Sequence, residues 1–105
     1  MAQFDCYPNP SAHSREWAPY LVDLQHPMLE TLNTRIMAPL VIGSASGGAT
    51  MDRLNPVMRV EGRDYFLSIT EMASVPVHEL SAPIGNLSAQ RTDFLAAIDM
   101  LFTAV

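Results

Sequence analysis

The chain alternates short apolar runs with polar breaks, and most of the runs have the two-residue period of half-buried strands. Gln3-Phe4-Asp5-Cys6-Tyr7 alternates polar and apolar, and Pro8-Asn9-Pro10 stops it, leaving residues 11–16 as a polar loop. Tyr20 to Gln25 predicts a second strand. Ile36 to Ile42 predicts a third, which Pro39 assigns to an edge or a bulge because proline cannot donate to a ladder. Gly43 to Thr50, small residues with three glycines, predicts a flexible loop that packs no core. After Asn55-Pro56, the runs Val57–Val60 and Tyr65–Thr70 flank Glu61-Gly62-Arg63-Asp64, a hairpin signature in which glycine supplies the positive φ of a tight turn.

Only the last stretch has helical periodicity. Ser88 is the expected N-cap, and Phe94, Leu95, Ile98, Leu101, Phe102 and Val105 recur at spacings of three and four, with Gln90, Thr92, Asp93 and Asp99 off that stripe. Five or more strands and one C-terminal helix predict an α+β fold, mainly β, built on a small antiparallel sheet or partly closed barrel. A length of 105 residues predicts a single domain spanning 1–105.

Composition adds an expectation of association. With 49% hydrophobic and 16% charged residues, so short a chain has more apolar surface than one small core absorbs, and some of it is expected in an interface. The net charge of −5, the absence of lysine and the scattering of the six arginines argue against direct nucleic-acid binding, which needs clustered cations. The start lacks the basic and apolar regions of a secretory signal, and no apolar run approaches the roughly 20 residues of a bilayer span, so a cytoplasmic location without membrane association is expected.

Candidate chemistry is sparse. His13, His26 and His78 have no carboxylate or cysteine at metal-ligand spacing and are expected on loops or the surface, so neither a metal nor a cofactor is expected. The glycines of residues 43–50 lack the Lys-Ser/Thr sequel of a phosphate loop. Cys6, the one cysteine, excludes an internal disulfide and is expected to be a small buried hydrophobe. Trp17 is expected to pack rather than to anchor a partner. Met28 and Leu29, in an otherwise polar segment, either form an exposed apolar partner site or fold back onto the core. No nucleophile, base or ligand set emerges, and no catalytic residue is assigned.

The order of segments resembles a specific family. Gln3-Phe4 with Tyr7, Tyr20-Leu21-Val22-Asp23-Leu24-Gln25, Thr34-Arg35-Ile36-Met37-Ala38-Pro39-Leu40, Leu54-Asn55-Pro56, the hairpin, Glu71-Met72-Ala73-Ser74-Val75-Pro76 and Ala97-Ile98-Asp99-Met100-Leu101-Phe102 are similar, in order and spacing, to the CcdB toxins of type II toxin–antitoxin systems. The resemblance implies an SH3-like antiparallel barrel with a small extra sheet and one C-terminal helix, forming a symmetric homodimer. It further implies a protein that is not an enzyme, acts in plasmid maintenance and inhibits DNA gyrase, a type II topoisomerase. The toxin inserts into the gyrase A subunit dimer and traps the gyrase–DNA cleavage complex, and a cognate antitoxin with a disordered tail removes it. Carried over to this sequence, the gyrase contacts correspond to Ser88, Arg91, Thr92, Asp99, Thr103, Ala104 and Val105 of the helix and to Met28 and Leu29 of a short apolar loop. The family ends in Trp-Gly-Ile and this chain in Thr103-Ala104-Val105, and the family carries an acid where this chain has Arg91. A CcdB-like protein that keeps its antitoxin but not gyrase poisoning is the alternative, with an mRNA endoribonuclease toxin on a similar barrel as a third reading.

Overall fold

A computed structural model describes residues 2–43 and 53–104. Among the described residues, seven strands, β1 (Asp5–Pro8), β2 (Tyr20–Asp23), β3 (Thr34–Val41), β4 (Val57–Val60), β5 (Arg63–Leu67), β6 (Ala73–Pro76) and β7 (Gly85–Asn86), precede the helix α1 (Arg91–Thr103). All pairings are antiparallel, in the order β4-β5-β3-β2-β1-β7, with β6 branching from β3. The sheet forms a nearly closed, SH3-like barrel, mainly β, as expected from the sequence. The branch formed by β6 and the first half of β3 takes the place of the small extra sheet. The glycine-rich loop expected at Gly43–Thr50 lies, beyond Gly43, outside the described residues.

The period-2 pattern becomes rows of core side chains. Cys6 lies opposite Val22 and Val22 opposite Ala38, while Met58 faces Tyr65 across the hairpin. These, with Phe4, Leu24, Leu40, Val60 and Leu67, form one buried cluster that Ile69, Phe94 and Ala97 complete. The β4–β5 hairpin turns through Glu61 (φ 50°) and Gly62 (φ 79°), the two successive positive-φ residues of a type I′ turn, whose twist matches that of the strands.

Pro39 is not at an edge. It sits in the most enclosed strand, paired on one side with Leu21 of β2. On the other side β6 covers residues 34–37 and β5 begins at Leu40, so residues 38 and 39 lie in the gap between two partners. In an antiparallel strand a residue's N–H and C=O point the same way, and the Pro39 carbonyl accepts from the Ser68 N–H at 2.9 Å on the gap side. The missing proline N–H therefore falls where no ladder bond is required.

The barrel's open side is bridged by a side chain rather than a strand. Gln90, just before α1, donates from Nε2 to the Val57 carbonyl (2.9 Å), and its Oε1 accepts from the Arg59 N–H (3.4 Å). One amide thus meets the backbone of the free β4 edge as a peptide group would. Gln90 rather than Ser88 occupies the N-cap position of α1. The Ser88 N–H instead donates to Asn86 Oδ1 (2.9 Å) and opens a short 3₁₀ turn that delays the helix to Arg91.

The helix packs a narrower stripe than its composition predicts. Phe94 and Ala97 are fully buried, with Ile98 and Leu101 partly buried against the core, whereas Leu95 is 39% and Phe102 68% exposed. At about 100° per residue, Ala97, Phe94, Ile98 and Leu101 share one arc, and Leu95 and Phe102 stand together roughly 80–100° to its side.

Candidate partner-binding surface

Two elements carry the residues singled out from the sequence. The first is the segment after β2, where Pro27–Leu29 forms one 3₁₀ turn. Its N-cap is His26, whose Nδ1 accepts from the Met28 N–H at 3.1 Å, and proline at the first position suits the turn because no donor is needed there. Met28 is 82% exposed, Leu29 47% and Leu32 50%, so this loop does not fold back onto the core.

The second element is α1 with its approach. Ser88, Thr92, Asp99, Thr103 and Ala104 are all exposed, while Val105 lies outside the described residues. Arg91 is exposed but engaged: Nη1 donates to Gln3 Oε1 (3.2 Å), and the guanidinium stands 5.8 Å from the centroid of Phe4. Phe4 in turn stacks on Phe94 at 4.5 Å and 14°, holding a left-handed backbone (φ 69°) that is costly for an aromatic residue and tolerable only under such support. Arg91 therefore ties the N-terminus to the helix. At the other end, Thr103 Oγ1 donates to the Asp99 carbonyl (2.6 Å). Ala104 takes the left-handed C-cap conformation (φ 57°, ψ 34°) with its N–H on the Met100 carbonyl (3.1 Å), a geometry that glycine adopts at lower cost.

Sequence reasoning missed Leu95 and Phe102 as surface residues, although their angular offset from Phe94 was present in the spacing. It also assigned Trp17 to packing, where the residue is 48% exposed. Trp17 accepts through its carbonyl from the Ile42 N–H (2.9 Å), so backbone pairing holds it without burying the indole.

Beneath the first element lies a buried ion pair that no periodicity announces. Arg35 Nη2 is 2.8 Å from Asp23 Oδ2, both side chains being fully buried, and Arg35 Nε donates to the same oxygen at 2.9 Å. Burial pushes the Asp23 carboxyl above its ordinary range, against the pull of the Gln25 N–H and Arg35. Tyr7, also buried, has its phenol pushed up to about 12 by desolvation, with Asp5 and Asp23 adding and Arg35 opposing.

The Cys6 thiol is buried and pushed up to about 12 by desolvation, with Glu61 and Asp5 adding, so it is no nucleophile. His13, His26 and His78 are exposed, and among the described residues no group of three or more His, Cys, Asp or Glu could hold a metal. No helix among them is long and apolar enough to cross a membrane. The raised thiol sets a pH dependence. Unfolded, Cys6 ionises near 9.0; folded, it stays protonated to about 12. Stability present below pH 9 is therefore lost as pH rises toward 12, by about 1.4 kcal/mol per pH unit, with Tyr7 adding to the loss above pH 10. Urea midpoints at pH 8 and 10.5 check this; equal midpoints would mean that Cys6 is open to solvent.

The model of the family described as CcdB protein matches residues 3–104, nearly the whole chain. The chain belongs to the CcdB family. CcdB proteins are toxins of toxin–antitoxin modules, and this member carries exposed apolar side chains on the turn after β2 and on α1.

Proposed function

We propose that this protein is the toxin of a type II toxin–antitoxin pair that poisons DNA gyrase by trapping the gyrase–DNA cleavage complex, and that a cognate antitoxin neutralises it. The observation that carries this reading is the family match together with the exposure of every described residue assigned to gyrase contact: Met28 and Leu29 on one element, Ser88, Arg91, Thr92, Asp99, Thr103 and Ala104 on the other. The mechanism is non-enzymatic. Binding energy spent on the cleaved state of the gyrase A subunit raises the population of that state, as any ligand with differential affinity must. The working unit is a cytoplasmic homodimer; the exposed apolar pair Leu95 and Phe102 supports association, because surface of that kind on so small a domain is normally covered.

A second reading, a CcdB-like protein that binds antitoxin but not gyrase, is favoured by the state of Thr103. Where the family presents a tryptophan for stacking, this side chain is turned back onto the Asp99 carbonyl. Supercoiled plasmid, gyrase, ATP and purified protein separate the two: linear DNA after denaturation and protease treatment supports poisoning, and none from a folded protein supports the second reading. For an active poison, Thr103→Trp adds about 0.5–2 kcal/mol of cation–π energy and lowers the half-maximal concentration roughly two- to thirtyfold. No gain would count against helix-tip docking.

A further inference from the structure

The segment that presents Met28 and Leu29 has no fully buried apolar side chain to hold it. Every residue from His26 to Thr34 is exposed, so packing does not set its shape. Its own bonds are local ones, from the Leu29, Glu30 and Leu32 N–H groups to the carbonyls of His26, Pro27 and Leu29. Its far end is held by the Val77 N–H, which donates to the Asn33 carbonyl (2.8 Å), and its middle, where Met28 and Leu29 stand, is tied to the barrel by a buried amide. Gln25 Nε2 donates to the carbonyls of Leu29 (3.2 Å) and Thr34 (3.4 Å), and its Oε1 accepts from the Ile36 N–H (3.0 Å). Gln25 is itself clamped by the buried ion pair: its N–H donates to Asp23 Oδ1 (2.9 Å), and its carbonyl accepts from Arg35 Nη2 (3.0 Å). The middle and end of the segment and the strand that follows therefore meet one side chain, and the charged pair fixes the backbone from which that side chain projects.

We propose that Gln25, clamped by the Asp23–Arg35 pair, is a positioning residue that presents Met28 and Leu29 to the protein partner in a preset geometry. This rests on the reading that those two side chains contact the target. Preorganisation of this kind is read in affinity, because a loose turn must be ordered on binding.

The test compares Gln25→Met, which keeps the volume but removes both the donor and the acceptor, with the double variant M28A/L29A, which removes the contacts themselves. Amide hydrogen exchange and the gyrase cleavage titration are measured on both. In Q25M, exchange at Leu29 and Leu32 rises by about tenfold or more while amides of Phe94 to Ile98 stay within about twofold, the signature of local rather than global opening. The half-maximal concentration for cleavage rises by about five- to tenfold. Unchanged exchange at Leu29 and Leu32 overturns the proposal. So does faster exchange with unchanged potency, provided M28A/L29A loses potency. If M28A/L29A keeps full potency, the contact reading itself fails. Should Q25M not fold, D23L/R35M, which replaces the clamp by an apolar pair, is read by the same two measurements and the same outcomes.

Discussion

Replacing Arg35 by alanine lowers the unfolding free energy by about 3–5 kcal/mol, because it strands the Asp23 carboxylate, fully buried, without its cation. For a domain whose whole stability is of order 5–15 kcal/mol, such a loss leaves a protein partly unfolded at 37 °C. The effect belongs to the broken pair and not to the pair's net worth: D23L/R35M, which removes both charges, is expected to be neutral or to stabilise by about 1–4 kcal/mol. Urea unfolding of the two variants against the parent decides the matter. A single variant no weaker than about 1 kcal/mol would mean that water reaches Asp23 and that the pair is not buried in solution.

The second large effect is at the helix. Phe94→Ala removes a fully buried ring that stacks on Phe4, and costs about 3–5 kcal/mol for the cavity and the lost contact. Phe4 then loses the support for its left-handed backbone, so the variant also exposes the N-terminal residues to faster hydrogen exchange. Leu95→Ala, one residue along but on the exposed arc, costs less than about 1 kcal/mol. Equal losses at the two positions would show that the helix is rotated relative to the barrel. A Leu95 loss that grows on dilution would mark that arc as covered by a second copy of the chain.

Both effects concern interactions that the sequence showed only in part, and the reasons differ. The hairpin of Val57–Val60 and Arg63–Leu67 was legible because Glu61-Gly62 is a local demand: its backbone signs are decided within two residues. The strand at Pro39 was legible as a strand but not as an interior one. Its neighbours on the gap side are separated from it by some thirty residues of chain, and only their arrival shows that the missing N–H is harmless. The helix was legible in type and misjudged in face, because the six apolar positions read from the sequence span a wider arc than one contact with a barrel can cover. Met28 and Leu29 could be noticed as apolar in polar company, yet whether they faced solvent depended on what lay beneath them.

By itself, the sequence determined the first five strands and the helix, their order and, through motif order, the family. Those depend on local periodicity, turn chemistry and residue inventory, which need no partner across the fold. Only the tertiary structure decided that Gln90 bridges the open side of the barrel, that Arg91 is bound to Gln3 and Phe4, that Thr103 is turned back onto its own helix, and that Asp23, Gln25 and Arg35 join beneath an exposed turn. Asp23 and Arg35 stand on neighbouring strands, twelve residues apart. Nothing in their local sequence distinguishes a solvated charge from a buried pair, because burial is a property of what the rest of the chain lays over them.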